Sequence, residues 1–309
     1  MTITHHPEHP DDRAAMVSIR SALWSAKGSI DGPDARKAFD GIMEQVPAAA
    51  GVTYEAAIVG GVPGWWCRPE AALKGAVVLY FHGGGYVVGT SQAYRHFAGQ
   101  VAAHAKAAAF VPDYRLAPEY PFPAALEDAL AVYDGLVAEG FTNIALAGDS
   151  AGGGLALVLL AAAAAKARAG SGPNPKGAAV ISAWTDLALA GESMATRAEA
   201  DPLSTPAQLA AMARFYLAGR DPRDPLASPL YGDLAGLPPV RMDVGEDDVL
   251  LDDAVRYGER FEQEGGTIEV HSWEGMMHVF PANVAVLKAA WEALNDIGDF
   301  LNRRLREDL

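Results

Sequence analysis

The chain has 309 residues, and 24 Lys and Arg against 39 Asp and Glu leave a formal charge of −15, which argues against nucleic acid or an anionic membrane as a partner. Apolar residues make up 50% and charged ones 20%, too apolar for a disordered chain, and the length allows one large core. A single cysteine, Cys67, excludes an intramolecular disulfide framework and a cysteine-based zinc cluster.

In chain order, residues 1–48 read as helix and loop, with His5, His6 and His9 in a mobile, solvent-exposed tail. That start lacks a basic region and an apolar stretch, so no secretory signal is read. The longest apolar run, 155–165, is shorter than the roughly 18 residues of a spanning helix, and a soluble, cytoplasmic protein is expected. Residues 54–59 and 64–68 read as a pair of strands joined by a turn at Gly60, Gly61 and Pro63. Further short apolar runs at 76–81, 108–111, 144–147, 178–182, 240–244 and 268–272 alternate with helical patterns at 92–105, 123–139, 155–169, 252–264 and 284–304. That alternation predicts an α/β fold, a mostly parallel eight-stranded sheet flanked by helices. Two segments fall outside it, 1–48 and 186–225, leaving 49–185 and 226–309 as the two parts of the core. Insertions of this kind form lids.

The chemistry starts where the apolar run at 144–147 ends in Gly148-Asp149-Ser150-Ala151-Gly152 and a long helix follows at once. This is a G-x-S-x-G nucleophile elbow in its required strand-turn-helix context. Glycines two residues either side of the serine make room for a strained turn, and the helix start favours an anion beside Ser150. Upstream, Tyr80-Phe81-His82-Gly83-Gly84-Gly85-Tyr86 ends another apolar strand. Three consecutive glycines let main-chain N–H groups approach a developing oxyanion, completed by the amide of Ala151. The same glycines fit neither G-x-G-x-x-G, since Val88 stands at the last glycine position, nor the lysine-bearing phosphate loop.

A serine nucleophile needs a base. Among eight histidines, His96 and His104 fall in a predicted helix, His82 in the glycine loop and His271 inside the last strand. His278, in Gly275-Met276-Met277-His278 after that strand, is placed to reach back over the sheet edge. The orienting acid is expected after the preceding strand, where Glu246, Asp247, Asp248, Asp252 and Asp253 stand. Asp252 and Asp253 open the next helix as cap and dipole partners, while Glu246 and Asp247 sit earliest and are read as facing solvent. Position favours Asp248, with Asp247 as fallback. Ser150, Asp248, His278 is the chain order of α/β-hydrolases.

With Asp113-Tyr114-Arg115-Leu116-Ala117-Pro118-Glu119 and Asp248-Val249-Leu250-Leu251-Asp252 added, the five motifs make the chain resemble the bacterial hormone-sensitive-lipase-like esterases over residues 50–305. The resemblance implies an α/β-hydrolase fold and selects Asp248 as the triad acid. It implies Gly84, Gly85 and Ala151 as oxyanion donors, supported by His82, Gly83, Gly148, Asp149 and Gly152. It implies that 1–48 and 186–225 pack together as a helical cap. Tyr86, Trp184, Leu187, Phe215, Tyr216 and Met277, with Trp24, Phe39 and Leu217, then become candidate pocket lining, a role that core packing explains equally well. Trp184-Thr185-Asp186-Leu187, Gly191-Glu192-Ser193-Met194 and Arg197-Ala198-Glu199-Ala200-Asp201-Pro202 resemble the branch known as monoterpene lactone hydrolases. Relatives there often carry Glu where this chain has Asp248.

The expected activity is hydrolysis of short- to medium-chain acyl esters through an acyl-enzyme, with no metal or organic cofactor and activity falling as pH drops through about 6 to 7. A lactone hydrolase with the same triad is the alternative within that class. An amidase has a harder leaving group to protonate, and a non-catalytic small-ligand receptor would be expected to lack the base. The last strand, 268–272, is expected at an open edge where a second copy could pair to give a homodimer. Cys67, beside Trp65 and Trp66, reads as an inert core residue.

Overall fold

The computed structural model describes residues 3–307. Its strands are β1 Ile3–His6, β2 Val52–Val59, β3 Val62–Pro69, β4 Ala76–Phe81, β5 Ala108–Pro112, β6 Asn143–Asp149, β7 Ala178–Ile181, β8 Val240–Gly245 and β9 Ile268–Trp273. The helices are α1 Pro10–Trp24, α2 Arg36–Met43, α3 Ser91–Ala105, α4 Ala124–Ala138, α5 Ser150–Arg168, the short α6 Ser193–Thr196, α7 Pro206–Leu217, α8 Leu251–Gln263 and α9 Lys288–Arg306. One sheet takes all the strands in the order β1-β9-β8-β7-β6-β4-β5-β3-β2. It is parallel from β1 to β5, with β3 and β2 antiparallel at the far edge.

The central strands are buried on both faces, which is why they read as unbroken apolar runs. Along β4, Val77, Leu79 and Phe81 join the core beneath α4, α5 and α8, while Ala76, Val78 and Tyr80 join Phe97 and Val101 of α3 and Leu294, Ile297 and Leu301 of α9. Period-two alternation thus feeds two apolar layers at once. The 19-residue α5 helix is long and apolar enough to cross a membrane, with mean hydropathy 1.5 over its most apolar 18-residue window, but 72% of that window is buried in the fold. Cys67 is buried, and burial pushes its thiol up to about 12.

The sheet has a ninth strand where a mobile tail was expected. β1 pairs in parallel with β9, His6 opposite Trp273. The His6 ring stacks on Trp273 at 3.8 Å between centroids and shares a 2.8 Å hydrogen bond with His271. His5 reaches Ser272 at 2.7 Å, and His9 caps α1 by accepting from the Asp11 amide. Four residues are too few to show strand periodicity, so the pairing comes from the partner edge. It also overturns the expected dimer edge, since β1 already occupies the outer side of β9.

The two segments outside the alternation meet. Lys27 Nζ donates to Ala198 O (2.6 Å), the Gly28 amide to Leu203 O (3.1 Å) and Gln208 Nε2 to Ile30 O (2.8 Å). Gln208 also completes a capping box with Thr205 at the start of α7.

Candidate active site

Ser150 begins α5 directly after β6, with no intervening loop, and its φ is +52°. A non-glycine residue there costs about 1–3 kcal/mol and persists only where its surroundings force it. They do so by close packing: a Cβ on Gly152 would stand 2.2 Å from Phe81 O and 2.4 Å from His82 O, and one on Gly148 would stand 2.6 Å from Gly152 O. The Ser150 carbonyl accepts from the Trp184 amide at 2.9 Å. Ala151, next in line, lies in the first helical turn, where an amide has no intrahelical acceptor.

The glycine loop after β4 is bolted to the residue preceding Ser150. One oxygen of the buried Asp149 accepts from Tyr80 OH (2.8 Å) and the Gly83 amide (3.1 Å), the other from Tyr94 OH (3.1 Å). His82 Nδ1–H donates to Gly83 O at 2.7 Å, its ring stacks on Tyr114 at 4.3 Å, and Tyr114 OH donates to His82 O at 2.7 Å. Gly84 and Gly85 follow at φ +109° and +60°.

His278 stands in the loop after β9, its Nδ1 2.9 Å from Asp248 Oδ2 in the loop after β8. The other Asp248 oxygen accepts from the Leu250 amide at 2.8 Å. With Asp at this position the hydrogen bond forms without the longer Glu side chain. Val279, at φ +51°, donates its amide to Ser182 Oγ at 3.0 Å. Ser182, itself at φ +48°, follows Ile181, which pairs with Asp149 across the β6–β7 ladder. Three strained non-glycine residues, Ser150, Ser182 and Val279, thus cluster at the carboxyl ends of the parallel strands, the place where α/β sheets bind ligands.

A family model described as the alpha/beta hydrolase fold matches residues 78–282, most of the chain. An acetyl-hydrolase of Streptomyces hygroscopicus is 40% identical over 253 residues, 81% of this chain and 83% of its own. A putative acetyl-hydrolase, LipR, of Mycobacterium tuberculosis is 38% identical over 84% of this chain and 83% of its own. The crystal structure of an esterase from the bacterial hormone-sensitive lipase family superposes with a TM-score of 0.86 at 36% identity, covering 96% of this chain and 99% of that one. The chain belongs to this α/β-hydrolase family of bacterial esterases.

The five acids after β8 of this esterase go to five different partners. Glu246 accepts from Ser272 (3.0 Å) and lies 3.3 Å from His5. Asp247 pairs with Arg20 of α1, so neither faces solvent alone as the sequence suggests. Asp248 meets His278. Asp252 accepts from the Ser193 amide (2.9 Å), and Asp253 from the amides of Thr185 (2.8 Å) and Asp186 (2.9 Å). The last two open α8, as expected of dipole partners, yet their carboxylates also bind the insertion. Burial, helped by the nearby Asp186 charge, pushes Asp253 up to about 8.

Burial also lifts Asp149 to about 6, against the tyrosine hydroxyls that stabilise its anion. For His278 burial favours the neutral ring, but Asp248, by charge and hydrogen bond, and then Asp201 and Asp149 reverse that and raise it to about 9. That raised value moves the expected limb above the pH 6 to 7 of an isolated histidine.

Asp201 is absent from the candidate residues read in the sequence. Buried in the insertion, it accepts from the amides of Leu203 (2.8 Å), Ser204 (2.9 Å) and Val249 (3.2 Å), the last beside Asp248. Burial first, then the Asp248 charge, raise its pKa. In the sequence it stands only within the Arg197–Pro202 motif, which gives it no role of its own.

The proposed lining residues separate. Tyr86 and Tyr216 stack at 3.8 Å, Trp184 lies near Tyr86 and Leu187 is buried. Met277 turns instead into a cluster with Met16, Trp273 and Phe280. Phe215 lies on the outer side of α7 beside Gly32, and Trp24 is exposed under Lys27. Helical period puts adjacent residues 215 and 216 about 100° apart, and on α7 the packing buries Tyr216 and leaves Phe215 exposed. Among the described residues no group of three or more His, Cys, Asp or Glu is arranged to hold a metal.

Proposed function

We propose that this esterase cleaves short-chain carboxylic esters through an acyl-enzyme on Ser150, with His278 as base and Asp248 as its orienting acid. The observation that carries the reading is the 2.9 Å His278–Asp248 pair, tied through Ser182 to the strand end that presents Ser150. Ser150 Oγ attacks the ester carbonyl and its proton passes to His278 Nε2. The oxyanion is held by the amides of Gly84, Gly85 and Ala151, while Asp248 stabilises the imidazolium through Nδ1–H. Collapse expels the alcohol, which takes the proton from His278. Water then attacks the acyl carbon as His278 takes its proton, and collapse breaks the bond to Ser150 Oγ, which takes that proton back from His278 as the acid leaves.

Residues 1–48 and 186–225 act as a cap over this centre. Within it, α7 closes down on the glycine loop: a Cβ on Gly85 would stand 2.1 Å from Met212 Sδ, and the Tyr86–Tyr216 stack seals the adjoining side. This packing of α7 on the glycine loop, together with relatives named acetyl-hydrolases, supports a short acyl group over a long chain.

Initial rates on 4-nitrophenyl esters from acetate to palmitate, for the natural protein and Ser150→Ala, test the reading. A burst and a Ser150-dependent rate highest at acetate or butyrate are expected. Hydrolysis surviving in Ser150→Ala would remove the acyl-enzyme, and a maximum at palmitate would remove the short-chain preference.

A further inference from the structure

Arg20 lies far from Asp248 and His278 in sequence, yet its guanidinium meets both loops that carry them. Nη1 donates to Ala200 O at 2.5 Å, and Nη2 donates to Asp247 Oδ2 and, at 3.0 Å, to Gly275 O. Three chain segments therefore converge on one side chain: the insertion beside Asp201, the acid loop one residue before Asp248, and the base loop three residues before His278. A planar fork with several fixed donors can hold three acceptors at once, whereas an ammonium cannot reproduce that geometry.

The helix presenting Arg20 is itself anchored. Asp12, buried, accepts from the Lys288 and Ala289 amides at the start of α9, both at 2.8 Å, and β1 pairs with β9 just before it. Met16, one turn before Arg20 and on the same helix face, packs into the cluster that holds Met276 and Met277, the two residues before His278. The base loop thus rests on α1 through an apolar contact and a polar one. On the other side of the acid loop, Asp201 accepts from the Val249 amide, so Asp248 lies between two ties to the insertion.

We propose that Arg20 is a positioning residue for ester hydrolysis, holding the Asp248 and His278 loops in register with each other and with the cap. The proposal rests on the hydrolytic reading above. Arg20 also adds a positive charge to a region where Asp248, Asp201 and Asp149 face His278 and Asp247 lies alongside.

The test uses the full chain, with 4-nitrophenyl acetate as substrate and active sites titrated by a fluorophosphonate so that kcat refers to competent enzyme. Arg20→Met is expected to lower kcat per titrated site by about 10- to 100-fold and leave KM close to the natural value. Arg20→Lys, which keeps the charge but not the planar fork, is expected to recover kcat only in part, separating charge from geometry. A merely structural role would reduce the number of titratable sites and leave kcat of each site unchanged, and that result overturns the proposal. If Arg20→Met does not fold, Arg20→Lys decides: natural kcat per site overturns the proposal, and reduced kcat at natural melting temperature supports it. Ser150→Ala run in parallel keeps the two readings apart, because activity surviving there sinks the hydrolytic reading itself.

Discussion

The two sides of the site are built differently. On the Ser150 side, the elbow and glycine loop are shaped mostly by residues 80–94, 114 and 148–154, packed closely with Asp149 as the bolt. On the His278 side, two loops are held in place by Arg20 from α1, Asp201 from the insertion and Ser182 from the end of β7. The first side is stiff because its atoms have nowhere to go. The second is stiff only while distant polar partners stay paired, so single substitutions break the two sides in different ways.

The largest contrast comes from Asp248→Asn. The shape is retained but the orienting charge is lost, and kcat is expected to drop by up to ~10⁴; a near-natural kcat on 4-nitrophenyl acetate would move the acid's role elsewhere. Gly152→Ala attacks the other side by volume alone. Because its Cβ meets backbone oxygens that cannot rotate away, a loss of about 1–3 kcal/mol or more is expected, read as a lower urea midpoint together with lost fluorophosphonate labelling. An unchanged midpoint would show that the elbow is looser than its contacts indicate.

The pH dependence probes the His278 side next. The proposed base acts when neutral, and its pKa is raised to about 9, so kcat/KM is expected to rise with pH, reach half its maximum near 9 and level off above that. A limb at 6 to 7 would mean that the surrounding carboxylates do not carry charge in the working enzyme. The smallest effect is on stability. Asp253, lifted to about 8 by burial, contributes stability that is present below the ordinary carboxylate value and lost as pH rises through about 8. His278 adds a loss of the same sign from its ordinary value up to about 9. Melting temperature should therefore fall from the ordinary carboxylate range up to about pH 9, and Asp253→Asn should flatten the part of the fall below about 8. Parallel curves for the two proteins would show that Asp253 does not titrate there.

How much of this could be read beforehand follows the same division. Gly148-Asp149-Ser150-Ala151-Gly152 and His82-Gly83-Gly84-Gly85 are legible because a tight turn writes its steric demands into adjacent residues. The central strands are legible because burial on both faces leaves continuous apolar runs. β1 was not, since a four-residue edge strand carrying two histidines has no pattern of its own and forms only because β9 offers an open edge and Trp273 a flat ring. Arg20 and Asp201 were not, because a salt bridge or a buried carboxylate is specified by what lies opposite, and its partner here is tens to hundreds of residues away. Phe215 and Tyr216 illustrate the point within one helix: composition marks both as pocket candidates, and only packing turns one inward.

The sequence by itself determined the α/β alternation, the nucleophile elbow, the glycine loop and the order of Ser150, Asp248 and His278, because each depends on periodicity or on neighbours within a few residues. Tertiary structure alone decided how far the surrounding carboxylates shift the His278 pKa, where the other four acids after β8 go, and which side chains hold the two loops. Hydrogen bonds and electrostatics act over a few ångströms in space, whatever the separation along the chain, and only the folded sheet edge brings those groups within that range.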